Sequence, residues 1–186
     1  MKLFFRKDHK LRQGFTLVET LVAISIFTVS LIGVMSVIAD GIADTNYAKR
    51  KVVATYLAQE GIEYIRNMRD TEVLYGSGNG GAKWNRFQSN FGLCDDDTDE
   101  SHACGVVMPP FNISTCSSLN QCKLYINDGG YNTDSDGIDS GFVRKVWLTP
   151  INTGENEVRI TSKVYWTQGS GDYSITFSEN LFNWVE

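Results

Sequence analysis

Residues 15–39 read FTLVETLVAISIFTVSLIGVMSVIA, and Glu19 is their only charge. A helix crosses the hydrocarbon core of a bilayer with about 20 apolar residues, so this run is long enough to span. Residues 1–14, MKLFFRKDHKLRQG, set five bases (Lys2, Arg6, Lys7, Lys10, Arg12) against Asp8, a net charge of +4. Bases beside a span stay cytoplasmic, which predicts that the C-terminal part faces outward. A secretory signal peptide has a shorter apolar region, about 7–15 residues, closed by small residues at its cut. Here the run is longer and no A-x-A pattern closes it. A plain anchor leaves Glu19 unexplained, because an acid at the centre of a span costs roughly 2.5–3.5 kcal/mol and less near its edge.

Gly14-Phe15-Thr16-Leu17-Val18-Glu19, after a basic leader and before an apolar run, resembles the type III signal of type IV pilins and pseudopilins. The resemblance covers residues 1 to about 68 well and the rest in general shape. It implies that a prepilin peptidase cuts after Gly14 and methylates the new amino terminus at Phe15. It also implies that Glu19, at the fifth mature position, pairs with the Phe15 amine of a neighbouring subunit. The chemistry agrees: glycine lets the backbone enter a protease site without a side-chain clash. A charge pair shielded from water fixes register, because an unpaired charge there costs several kcal/mol. The partners implied are the peptidase, other pilins, an assembly platform and the inner membrane.

Beyond Asp40 and Asp44 a helical stripe continues through Tyr47, Ala54, Leu57, Ala58, Ile62, Ile65 and Met68, at the spacing of an amphipathic helix. Lys49, Arg50, Lys51, Gln59, Glu60, Glu63 and Arg66 fill the other face, with Glu63 and Arg66 spaced to pair. Gly61 weakens the helix or permits close packing. No proline falls between residues 15 and 68, so one helix of about 80 Å is expected at 1.5 Å per residue. Many major pilins carry a proline in the apolar half, where this chain has Gly33 and Ser36. That departure favours a minor component.

The Gly-rich stretch GSGNGG (76–81), within 69–92, reads as a loop. After Gly141 the period changes to two. Phe142, Arg144, Val146 and Leu148 alternate with Val143, Lys145, Trp147 and Thr149. Val158, Ile160, Val164 and Trp166 alternate with Arg159, Thr161, Lys163 and Tyr165, and Tyr173, Ile175 and Phe177 follow a Gly-Ser-Gly turn. This predicts an antiparallel meander, joined by PINTGEN (150–156) and the turn at 169–171. The closing LFNW (181–184) is expected to fold its apolar side chains onto the helix. The fold class is therefore α+β, a long helix on an antiparallel sheet, which matches the pilin plan. The expected divisions are leader 1–14, span 15–39, amphipathic half 40–68 and outer β-rich domain 69–186.

Cys94, Cys104, Cys116 and Cys122 all follow the span. An even number of cysteines outside the cytoplasm favours disulfides. Three pairings are open, with Cys94–Cys104 and Cys116–Cys122 preferred because they close short loops. A zinc site is the rival, although the spacings differ from paired C-x2-C knuckles; free thiols are the third reading.

Residues 93–139 carry nine acids and one base, Lys123. Asn132, Asp134, Asp136 and Asp139 set oxygen side chains at the spacing of a calcium loop. The closing Glu of an EF-hand is absent, and a solvated acidic loop is the plainer reading. Some pseudopilins hold calcium in a C-terminal loop. No cofactor is required, and calcium is the one possibility.

The whole chain has 186 residues, 42% hydrophobic and 21% charged, with a net charge of −5. These values exclude collagen, a wholly disordered chain and a polytopic membrane protein. The acidic balance argues against a nucleic-acid site. Loss of the +4 leader takes the net charge from −5 to −9. No G-x-S-x-G, P-loop or H-E-x-x-H is present. His9 lies in the leader, His102 lies in the acidic segment, and Asn112-Ile113-Ser114 is a bare glycosylation sequon. An enzyme is not expected. The expected function is a minor pilin of a type IV pilus. The alternatives are a pseudopilin of type II secretion or competence DNA uptake, and a tethered ligand-binding ectodomain that does not polymerise.

Overall fold

The computed structural model describes residues 14–92, 94, 102–107, 112–116, 119–151 and 156–184. The leader through Gln13, the acids Asp95–Glu100 and most of the 150–156 connection lie outside the described residues. The chain divides after Asn46 into two units.

Helix α1, Leu17–Tyr75, runs through both units. No proline interrupts it, and Gly33 and Gly41 each have open space where a β-carbon would stand. In the first unit every described side chain is exposed. The apolar residues Leu21, Ile24, Phe27, Leu31, Val34 and Ile38 therefore have no protein cover in this chain. The helix is long and apolar enough to cross a membrane.

In the second unit α1 buries Ala54, Leu57, Ala58, Gly61, Ile62, Ile65 and Val73. That stripe follows the predicted spacing, but the helix continues to Tyr75, past Met68. Chain 69–92 is not one loop. Helix α2, Gly80–Asn90, begins where Asn79 Oδ1 accepts the Ala82 N–H at 2.9 Å. This N-cap satisfies a donor the helix leaves open, and Trp84, Phe87 and Phe91 then fall on one buried face. The reading stopped at the glycines. The cap and the aromatic spacing outweigh their cost.

Seven strands follow: β1 Cys104–Val107, β2 Asn112–Thr115, β3 Lys123–Asn127, β4 Gly130–Asn132, β5 Ile138–Pro150, β6 Glu157–Gln168 and β7 Gly171–Phe182. A 3₁₀ turn, Leu119–Cys122, precedes β3. All pairings are antiparallel. The predicted meander is β5–β6–β7, with Phe142 opposite Trp166 and Val164 opposite Ile175. The other edge of β5 is shared: its first half pairs β3 and Val146 pairs Cys104 of β1. The sequence reading missed β1 to β4, because short strands broken by cysteines and acids show no period.

The Tyr47–Tyr75 part of α1 packs on this sheet, a pilin-like α+β arrangement. One cluster joins Ile62 and Ile65 to Trp84, Phe87, Val146, Ile160 and Leu181. The other joins Ala54, Leu57 and Ala58 to Leu124, Phe142, Val164 and Trp166. Of the closing LFNW only Leu181 is buried; Phe182 and Trp184 are exposed. Phe182 follows buried Leu181 by one position, so the alternation of β7 turns it to the other face.

Candidate processing and assembly site

The processing motif sits at the start of α1. Thr16 immediately precedes Leu17, and its Oγ1 accepts the Glu19 N–H at 3.2 Å. Thr16 therefore caps the helix and Glu19 stands three residues inside it, as in a capping box. An acid in the first turn also faces the positive end of the helix dipole, a favourable placement. The T-x-x-E spacing was readable, and the sequence analysis assigned Glu19 only a pairing role. Gly14 lies outside the helix and Phe15 is exposed.

Within the second unit the sheet is held to α1 by charges that helical phase placed on the solvent face. Arg144 is 2% exposed and in phase with Phe142, Val146 and Leu148. Its guanidinium donates to Glu60 Oε2 at 2.6 Å, to Leu57 O at 3.2 Å and to Val106 O at 3.0 Å. It also packs over the Tyr64 ring, 5.1 Å from the centroid. Tyr64 donates to Glu60 Oε1 at 2.5 Å. Burial first, then the hydrogen bond to Glu60, pushes the Tyr64 phenol up to about 12. Arg66 pairs with Glu63, as its spacing predicted, and also reaches Glu179 of β7. The Glu179 hydrogen bond raises the Arg66 guanidinium further above its ordinary value. Glu60 and Arg66 are thus bonded to the sheet rather than turned wholly to solvent.

The cysteines pair as Cys94–Cys104 and Cys116–Cys122, and no described cysteine is free. The first bridge ties the chain after α2 to β1, and Leu148 N–H of β5 donates to Cys94 O at 3.0 Å. This pairing removes zinc-thiolate ligation from consideration.

Side-chain oxygens of Asn132, Asp134 and Asp139 accept hydrogen bonds from backbone N–H groups two residues on, one of them that of Asp136. Asn132 Oδ1 accepts the Asp134 N–H at 2.9 Å, and Asp134 Oδ1 accepts the Asp136 N–H at 3.2 Å. Asp139 accepts the Gly141 N–H at 2.8 Å and stands 3.1 Å from Lys123 Nζ. Those bonds, the Gly141 N–H first, hold the Asp139 carboxyl below the ordinary carboxylate range. Among the described residues no cluster of three or more His, Cys, Asp or Glu is placed to hold a metal.

Residues 9–35 match the family model of the prokaryotic N-terminal methylation motif. The match spans Gly14, Phe15, Glu19 and the first part of the apolar run. No curated protein and no solved structure matches the chain. The motif indicates a type IV pilin-like or pseudopilin protein. It points to a structural role, to processing by a prepilin peptidase and to assembly with other pilins. With the apolar helix, it fits an inner-membrane-anchored pilin.

Proposed function

We propose that the chain is a minor pilin, cut after Gly14, methylated at Phe15 and assembled into a type IV pilus through residues 15–39. One observation carries this reading: the matched motif opens a helix whose apolar side chains up to residue 46 are all exposed in the isolated chain. Burial of apolar surface is the dominant drive for association, so that segment requires lipid or neighbouring helices. After membrane release, Glu19 of one subunit would meet the methylated Phe15 amine of the next. The unbroken course of α1 past Gly33 and Ser36 supports a minor rather than a major subunit.

Glu19 has two candidate roles, capping and pairing, and one substitution separates them. Glu19→Gln keeps a capping-box residue while removing the charge. The expected result is normal cleavage and methylation, read by intact mass, with loss from purified filaments. Normal incorporation of Glu19→Gln would eliminate the pairing role. A mature product that retains Met1 would reject the pilin reading as a whole.

A further inference from the structure

At the start of β5 lies a cleft of about 550 Å³ in the second unit. Its wall is aromatic. The rings of Trp166 and Tyr173 stack 5.7 Å apart at 20°, and Tyr47 approaches Tyr173 at 5.0 Å. Its rim is polar, with Arg50 from α1, Lys123 from β3, Asp139 from β5 and Asp172 from β7.

These charges are not equivalent. Lys123 is paired with Asp139 at 3.1 Å, and Asp172 accepts the Thr167 hydroxyl at 2.8 Å. Arg50 has neither an ion pair nor a hydrogen bond among the described residues, although it is partly buried. It lies against Gly141, with Nη1 3.4 Å from where a β-carbon would stand. Gly141 has φ +73°, a left-handed conformation that side chains disfavour. The left-handed backbone, rather than lack of space, calls for glycine there, and the guanidinium lies in ordinary contact distance of it. Trp166 Nε1 is a second unanswered donor, buried and without a partner among the described residues.

We propose that this cleft binds a hydroxyl-rich ring bearing a single carboxylate, the chemistry of a uronic-acid sugar. A planar guanidinium matches a carboxylate with two parallel hydrogen bonds. The Tyr173 ring, partly exposed, offers an apolar face to ring C–H groups, while its hydroxyl stays polar. Asp139 and Asp172 accept hydrogen bonds from hydroxyls and repel further negative charge. One free cation and two carboxylates on the same rim suit a ligand with one acid and several hydroxyls. It does not suit a polyacidic peptide.

The test is calorimetric titration of the full chain in a sugar-free detergent micelle. D-galacturonate is the probe, D-galactose supplies the same ring without the acid, and tetraglutamate supplies the acid without the ring. Galacturonate is expected to bind, with galactose roughly tenfold weaker, the loss of one charge-assisted contact. Arg50→Gln should reduce galacturonate to the galactose level and leave galactose unchanged. Tyr173→Ala should weaken both sugars. The proposal is overturned by no galacturonate binding, by equal binding of the two sugars, by tighter binding of tetraglutamate, or by an Arg50→Gln protein with unchanged galacturonate affinity. The assay is independent of cleavage and assembly, so its failure leaves the pilin reading standing.

Discussion

Gly61 of α1 meets Ser162 of β6 so closely that a β-carbon at residue 61 would stand 2.5 Å from Ser162 Oγ. Arg144 Cδ and Ser162 Cβ would lie at 3.2 and 3.3 Å. Glycine inside a helix costs about 1 kcal/mol relative to alanine, and close approach to the sheet outweighs that cost. Gly61→Ala should gain the helical term and lose roughly 1–3 kcal/mol to overpacking, for a net destabilisation. Ser162→Gly in the same chain should recover stability, a coupling that a double-mutant cycle measures. Denaturant unfolding followed by tryptophan fluorescence provides the readout. Additive effects would show that the two residues do not share the constraint.

The Arg144–Glu60 pair is a buried cation held by a partly exposed acid. Removing one side of such a pair costs roughly 3–5 kcal/mol when the other charge stays buried. Arg144→Met strands Glu60, which reaches water, and also leaves Leu57 O and Val106 O without their donor. A loss of about 2–4 kcal/mol is expected. Glu60→Gln leaves the Arg144 charge buried without a counter-charge and should lose at least as much, although an amide oxygen can still accept from the guanidinium. A smaller loss than that of Arg144→Met would show that carbonyl satisfaction, rather than ionic pairing, dominates.

Tyr64 sets a pH limit. Its phenol titrates at about 12 rather than 10.0, so the native state holds the proton more tightly than the unfolded chain. Its contribution is therefore complete below pH 10 and is lost as pH rises towards 12. The unfolding midpoint of the wild-type chain should fall more steeply than that of Tyr64→Phe across this window. Parallel curves would remove Tyr64 from the account.

Cys94→Ser with Cys104→Ser removes a bridge between residues ten apart in sequence. A disulfide of this loop size stabilises by roughly 2–4 kcal/mol, chiefly through the unfolded chain. The matching change at Cys116 and Cys122, six apart, should cost slightly less. Thermal melts of each double variant, with and without reductant, measure both effects. A reductant-sensitive melt in the chain lacking both bridges would point to another cause.

The parts of the fold that were legible in the sequence are those with a period. The α1 stripe and the alternation in β5, β6 and β7 each repeat long enough to declare a buried face. The prepilin motif was legible because its residue types have specific jobs at fixed spacing. Helix α2 was obscured by its glycines, although Asn79 and the spacing of Trp84 and Phe87 announce it. Strands β1 to β4 depend on β5, a partner that follows them in the chain, so no local pattern reveals them. Arg50, Glu60 and Arg66 looked solvated because helical phase alone does not report the reach of a long side chain. The Arg144 position was visible in the inward set, while its acceptors on α1 and β1 were not.

The position of β5 also bears on the order in which the second unit matures. The four cysteines precede β5 in the chain, so they are synthesised before the strand that organises their surroundings. An oxidant arriving early finds them with only chain entropy to choose a partner, and short loops close most readily. Each cysteine is bonded to its nearest neighbour among the four. Premature oxidation therefore yields the native linkage, and the molecule has no need of disulfide reshuffling to recover.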